Sequence, residues 1–598
     1  MLRYISNKQL TIEGFKTPFE THLNPENKWV KLANAIPWDD FVSIYTHGMS
    51  KNHGRPSIPP RVAVAALIIK HMEDLDDRSV VAALEENIYM QYFAGYPSFT
   101  TKPPFDPSML VDMRIRMGAE SFDKMIVILI KKAKPIIESI DAKNKSKSSK
   151  IENNNSKNDD NNTDVEGEDK AIVNKGSNEN KNTEKKDKIG ENKFEKTNNE
   201  SSNIELEKTE KPGVEKNSTV EISDCKNEQG EEESILPNSG KLKIDATVAD
   251  QKIKYPTDIG LLNTSREESE RLIDIIYKHS GLVKKPRTYR DKARKEYLQL
   301  AMKKKKTKRE IRLIISKQLR FLKRNIASIN KMLDQCGQIP LSFRDLKIFW
   351  VIQHIYDQQL YMYVHKVNSH QDRIVNIYQP HVRAIPRGKD KHSVEFGAKL
   401  GVSEICGFSR IDRISWDAYS ESKDLVMQVE HYKEILGYYP AIVMADGAYL
   451  SKSNREYLKA RNIRHTGKPL GRPKQLTKAE KLKIKQERGE RNHIEGKFGQ
   501  AKNGYGLVGI RARRQDTSEA WISGIWLAMN LKRYMNLQPI VGVMAIIFML
   551  IAFFKPFFTA IISAGKSVRS KKVKFNAITE IIGLRQLQFL SQISWVGR

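Results

Sequence analysis

The sequence predicts an α/β fold: a mixed domain of roughly 230 to 260 residues that holds a basic helical insertion and follows an all-helical domain. Three observations predict it. Apolar residues recur at helical spacing within residues 1 to 136. From Lys241 onward several short runs alternate with a period of two, and one strand-helix-strand unit follows them. Between the two regions the composition changes in kind.

In the first region Pro59 and Pro60 open a helix in which Val62, Val64, Ala65, Leu67, Ile68 and Ile69 are apolar. Proline is tolerated in the first helical turn because that turn's N–H groups have no intrahelical partner. LDDRSVVAALEENI then reads as a second helix, capped by Asp76 or Asp77, with Val80, Val81, Leu84 and Ile88 at helical spacing. Two helices across a short turn have the shape of a helix-turn-helix, although most such pairs serve packing alone. The opening MLRYISNKQLTIEGF lacks the apolar core of a secretory signal.

Residues 141 to 238 contain 18 Asn, one Phe and no Trp or Tyr. So little apolar surface cannot offset the entropy of ordering the chain, and a disordered tether is expected. Residues 141 to 240 carry 17 Lys, no Arg and 24 Asp+Glu, a net of −7, whereas the whole chain of 598 residues carries +30. The other 498 residues therefore hold +37. A polyanion is the natural partner of such a surface. The three cysteines, Cys225, Cys336 and Cys406, lie far apart without a C-x-x-C pair. Neither a thiolate zinc site nor a disulfide framework is supported, and a cytoplasmic, nucleoid-associated setting is expected.

Order is expected to resume at KLKIDATVAD, where Leu242, Ile244 and Ala246 alternate with Lys243 and Asp245. Residues 265 to 336 read as helical and strongly basic. Within them Ile315, Leu319, Leu322, Ile326, Ile329 and Leu333 form a seam for another helix, in this chain or in a second copy. RIVNIYQP, SVEFGAKLGVSEI and FSRIDRISWDAY read as successive strands, and PAIVMADGAY as a short apolar strand ending in a carboxylate. KSNREYLKARN reads as a helix, IRHTG as a strand, and a late helix runs from about Thr477 to Lys502. Trp521, Ile522, Ile525, Trp526 and Met529 mark a core-facing helix capped by Asp516 or Thr517. The all-apolar run Ile540 to Phe554 would measure roughly 22 Å as a helix, short of a roughly 30 Å hydrocarbon core. A buried helix or interface is the expectation, while Phe557 to Ile562 leaves membrane association open.

Asp245 falls on the first strand, Asp446 at the end of the later apolar strand and Glu495 on the late helix. Open α/β sheets gather their sites at strand ends and adjoining helices. Arg491, Glu495 and Lys502 stand at +4 and +7, within about 40° of one helical face. Surface ion pairing would explain that spacing too, at a few tenths of a kcal/mol. Gly489, Gly496 and Gly499 suit a helix that another backbone approaches closely rather than one kept for stability. Three carboxylates without a Cys or His cluster form a hard oxygen site that favours Mg2+ or Mn2+. With a basic surface, the chemistry that needs such a site is phosphoryl transfer on nucleic acid, with two ions as the expected complement. Asp412 and Asp417 read as caps or surface charges, and His493 points away from Glu495. Arg55 and Arg472 each lie in a Gly-Arg-Pro turn, able to place an arginine in a minor groove or to serve as an ordinary basic turn.

IDATV around Asp245, VMADGAY around Asp446 and RNHIEGKFGQAKNGYGL around Glu495 resemble the DDE transposases of bacterial insertion sequences, in the group with the Y-x2-R-x3-E-x6-K signature. GRPSIPPR and the helices after it resemble that group's N-terminal domain; KYPTDIGLLN, NIYQPHVR, VEFGAK and the GRPK loop resemble its catalytic region. The resemblance spans roughly residues 15 to 130 and 240 to 535.

It implies a ribonuclease-H-like core with Asp245, Asp446 and Glu495 as catalytic residues and metal ligands. Arg491 and Lys502 would contact DNA near the site, beside Arg488, Arg472 and Arg55. The signature tyrosine falls on Arg488, which leaves its aromatic role unfilled or moved. The implied organisation is a DNA-binding helical domain at 1–136, the tether at 141–238, a catalytic domain at 239–536 with its helical insertion at about 265–366, and a C-terminal apolar helix and basic tail at 537–598. The implied activity is cleavage and strand transfer on the terminal inverted repeats and target DNA, by a homodimer or higher oligomer. The alternative is a transposase relic that binds DNA without turnover.

Overall fold

The computed structural model describes residues 22–50, 52–53, 57–155, 237–386, 394–469, 471 and 477–537, with backbone alone from 141 to 155. The bulk of the expected tether, the apolar run at 540–562, Arg55 and Arg472 lie outside the described residues. The chain divides into two units, Met1–Lys143 with Leu236–Arg598, and Asn144–Ile235. Of the second, only the last turns of one helix are described.

Six helices precede the sheet: α1 (Lys28–Ala35), α2 (Trp38–Thr46), α3 (Pro60–Met72), α4 (Asp77–Glu86), α5 (Ile88–Ala94) and α6 (Met109–Asn155). Asp76 caps α4, its Oδ1 accepting from the Ser79 amide at 2.8 Å, which leaves Asp77 free for another role. α3 is buried almost throughout, including Lys70 and His71. α6 breaks at Gly118, whose φ of 60° an L side chain rarely adopts. Its backbone continues helically through 141–155, into the stretch expected to be a tether.

The first strand, β1 (Lys241–Gln251), is followed by the insertion α7 (Asp258–Tyr277), α8 (Arg290–Ala301), α9 (Lys308–Gln335) and α10 (Phe343–His365). The α9 seam closes within the chain, since Leu319, Leu322 and Ile329 share a core with Ile273 of α7 and Ile352 of α10. Then come β2 (Arg383–Pro386), β3 (Val394–Ile405), β4 (Phe408–Ser415), α11 (Leu425–Leu436), β5 (Ile442–Met444), α12 (Lys452–Ala460), β6 (Arg464–His465), α13 (Lys478–Gly504) and β7 (Val508–Ile510). A last helix, α14, covers 515–537.

The strands form one mixed sheet with the path β2-β3-β1-β5-β6, to which β4 adds beside β3 and β7 beside β1. β3 runs antiparallel to β1, whereas β5, β6 and β7 run parallel. Gly397 sits where the two long strands cross closely; a Cβ there would lie 1.9 Å from the Ala249 carbonyl oxygen. β1 is buried along both faces, so its alternation does not mark a solvent side: Lys243 is covered and donates to Glu404 at 2.7 Å.

Three expectations fail for local reasons. RIVNIYQP is not a strand. The Asn376 side chain accepts from the amides of Tyr378 and Gln379, and the Ile374 amide donates to Gln358 of α10, so the backbone is spent on a turn and on docking. α14 begins at Gln515, so Asp516 and Thr517 lie inside its first turn, where Asp516 still accepts from the Thr517 amide. Gly489, Gly496 and Gly499 meet no other backbone; a Cβ at each would face open space.

The helices before residue 136 and the sheet domain belong to the same unit, packed against each other rather than joined by the tether alone. Asp123 of α6 receives a bidentate pair from Arg410 of β4 at 2.7 and 2.8 Å. Lys134 donates to the Leu436 carbonyl at 3.1 Å, and the Lys70 ammonium lies 4.0 Å from the centre of the Trp521 ring of α14.

Candidate active site

A cavity of about 620 Å³ opens where β1, the end of β5 and α13 converge. Asp245, Asp446, Glu495, Arg491 and Lys502 all line it, from three separate elements. Asp245 reaches it from the middle of β1, which is flanked by β3 and β5. Asp446 follows β5 and caps a short 3-10 turn over Gly447–Tyr449, its Oδ1 accepting from the Gly447 amide at 2.7 Å. Glu495 stands on α13, a helix begun by a capping box in which Thr477 and Glu480 satisfy each other's backbone. Arg488 is exposed on the same helix but does not line the cavity, and His493 is exposed and also outside it.

Glu395, Lys399 and Glu421 complete the polar wall. The sequence did not single them out: Glu395 lies inside VEFGAK without a motif of its own, and Glu421 sits in a 3-10 turn before α11. Lys399 pairs with Glu421 at 3.0 Å and Lys502 with Glu395 at 3.4 Å. Asp412, set aside as a surface charge, is in fact buried, accepting from Arg410 at 3.0 Å and Gln428 at 3.2 Å; it is structural and outside the cavity. Asp417 is exposed.

Burial pushes the Asp245 carboxyl up to about 6. The Ala246 amide and Arg491 pull against that rise, while Glu421 and Glu495 add to it. Arg491 stands between two of the carboxylates, 3.8 Å from Asp245 and 3.2 Å from Glu495. The Tyr449 hydroxyl, fully buried nearby, has no hydrogen-bond partner among the described residues and feels both Glu421 and Asp245. The wall is therefore short of positive charge.

Among the described residues no three acidic, His or Cys side chains stand close enough to form a metal site as placed. The donor chemistry nevertheless fits a hard divalent cation: oxygen ligands only, with one carboxylate destabilised by burial. Arg491 fills the gap between Asp245 and Glu495 that such an ion's charge would take over.

Residues 17–116 match the family described as Transposase domain (DUF772), and residues 443–532 match the family described as Transposase DDE domain. The second match contains Asp446, Arg491, Glu495 and Lys502 and leaves Asp245 outside it. An uncharacterized protein, ORF8 in the nfe locus of Rhizobium meliloti, is 32% identical over 112 residues, which are 19% of this chain and 54% of that protein. The chain thus spans about half the length of that relative. No solved structure matches. A transposase-domain match over the N-terminal helices and a transposase DDE-domain match over the late strands and helices thus support an insertion-sequence DDE transposase.

Proposed function

We propose that the protein is a metal-dependent DNA transposase that binds the terminal inverted repeats of its element, cleaves the DNA strand there and transfers the 3′ end to target DNA. The observation that carries this reading is the convergence of Asp245, Asp446 and Glu495, from β1, the turn after β5 and α13, on one cavity flanked by Arg491 and Lys502. The sheet supports a ribonuclease-H-like core: the order β4-β3-β1-β5-β6 is antiparallel on one side of β1 and parallel on the other.

The three carboxylates would hold the divalent cation, Mg2+ or Mn2+, expected as two ions. When bound, such ions supply the Lewis acid that activates the attacking oxygen and stabilises the leaving one. Arg491, released from its carboxylate neighbours, and Lys502 orient the scissile phosphate by charge-assisted hydrogen bonds. Open space over Gly496 and Gly499 leaves room for the DNA strand across α13. Arg488, further along the helix, would meet flanking phosphates, and Arg55 and Arg472 stay assigned to DNA from their turns in the sequence. Assembly as a homodimer or higher oligomer on DNA, with target DNA as the second substrate, is part of the same reading.

One observation favours the rival reading of DNA binding without turnover, namely Arg491 standing between Asp245 and Glu495. The test is cleavage of a labelled duplex bearing the element's ends, with Mg2+, beside a binding assay. Asp446→Asn keeps the side chain's shape and removes its charge, so binding should persist while cleavage is lost. Cleavage persisting in that variant overturns the assigned trio; no cleavage by the wild-type chain, with binding intact, favours the relic.

A further inference from the structure

A second charged surface lies at the far end of β1. Asp250 and Gln251 pair with β7, which leads directly into Arg511, Ala512, Arg513 and Arg514 and then α14. Three concave surfaces meet there, of about 1050, 510 and 610 Å³, and Arg513 lines all three. Arg511 and Arg78 line the one against the N-terminal helices, Lys254 the one against α7, and Arg344 and Lys347 the one against α10. All six cations are exposed. None of the six forms an ion pair among the described residues.

The acids of the same walls are already engaged. Asp76 caps α4, Asp516 pairs with Arg514, Glu267 pairs with Arg266, and Glu519 accepts from Trp416 and Gln515. Folding has thus left an excess of fixed positive charge in a concave surface shared by the N-terminal helices, the insertion and the sheet. Phosphates spaced along a duplex are the partner such an arrangement fits. α4 is poorly suited to read bases itself, because its outward residues include Glu85 and Glu86 beside Arg78.

We propose that this groove, centred on Arg511 and Arg513, grips the backbone of duplex DNA about half a helical turn from the scissile phosphate; the inference rests on the transposase reading above. From Asp245 to Gln251 the strand advances about 3.3 Å per residue, roughly 20 Å in all. Along DNA that distance corresponds to roughly six base pairs at 3.4 Å each. The groove holds the duplex in register, and the carboxylate cavity acts on the strand that reaches it. Arg511 and Arg513 are therefore positioning residues rather than catalytic ones.

The test uses the full chain, the double variant Arg511→Ala/Arg513→Ala and the charge-keeping double variant Arg511→Lys/Arg513→Lys. Affinity for a labelled mixed-sequence duplex of about 30 base pairs is measured across a salt series. The alanine variant should lose about two units of the slope of log K against log salt, about 0.9 per phosphate contact, while the lysine variant keeps most of it. On DNA that the wild-type chain cleaves, ethylation of phosphates roughly six base pairs from the cut should weaken its binding and leave the alanine variant indifferent. An unchanged slope in an alanine variant that melts like wild type overturns the groove and leaves the transposase reading standing. So does loss of the slope in both variants when both melt like wild type, which would mean that the positive charge at these positions is not what the phosphates meet. Failure of the wild-type chain to bind duplex at all overturns the transposase reading and the groove with it.

Discussion

The middle of β1 faces a wall with more acids than bases, and its far end faces one with more bases than acids. Around Asp245 the carboxylates outnumber nearby cations enough for burial to push one of them up to about 6. Around Arg511 and Arg513 the cations are exposed and the acids beside them already engaged. Two buried cations elsewhere show the contrast: Lys243 is covered and meets Glu404, and Arg410 meets Asp123 and Asp412. A protein that pairs such buried charges, yet leaves an acidic surplus at the middle of one strand and a basic surplus beside its far end, has kept both for partners of the opposite sign. The acidic end suits a cation and the basic end a phosphate chain.

The sharpest way to break this comparison is to neutralise the acidic end. Asp245→Asn should lower Mg2+-dependent strand cleavage by about a thousandfold or more, because it removes a ligand rather than a contact. Duplex affinity should change little. A parallel fall in both would mean that the two ends do not work separately.

A smaller effect sharpens the same point without any turnover. If the acidic surplus is a cation site, Mg2+ at about a hundred times its Kd should stabilise the wild-type chain by about 2.7 kcal/mol. Asp245→Asn should gain much less. Thermal melting with and without Mg2+ reads the difference directly, and equal gains in the two chains would place the ion elsewhere.

The two ends also differ in how far the sequence disclosed them. Asp245, Asp446 and Glu495 could be read because each sits in a short motif whose period announces a strand or a helix, and the cavity brings all three together. Glu421 and Glu395 could not, since a carboxylate in a turn or mid-strand carries no local signal, and only the closing of the sheet puts it on the wall. Arg511 and Arg513 were hidden in the same way: RARR looks like any basic loop until β7 pairs with the end of β1. The strand reading of RIVNIYQP failed for a related reason, because its apolar residues answer to α10 through Gln358 and not to a neighbouring strand. The fold class was legible because periodicity is local. The packing of the N-terminal helices on the sheet domain was not, since it rests on pairs such as Asp123 with Arg410, far apart in the chain.

That packing yields the last and smallest prediction, at a junction where, unlike the two surfaces along β1, the buried charges are paired with one another. Asp77 accepts a bidentate pair from Arg114 at 2.7 and 2.8 Å and an ion pair from buried Lys70 at 2.8 Å, next to the Trp521 ring. Burial alone would raise its carboxyl, but Arg114 and Lys70 outweigh that and hold it at about 2. A carboxyl depressed in the folded state contributes stability that is fully present above its unfolded value near 3.8 and is lost as pH falls through about 2. The depression corresponds to about 2 kcal/mol. Asp77→Asn should therefore lower the melting temperature by a constant amount from pH 7 down to pH 4, with the gap to wild type closing only below that. A gap that closed already between pH 7 and 5 would overturn the assignment, because a carboxyl held at about 2 by Arg114 and Lys70 stays ionised throughout that range.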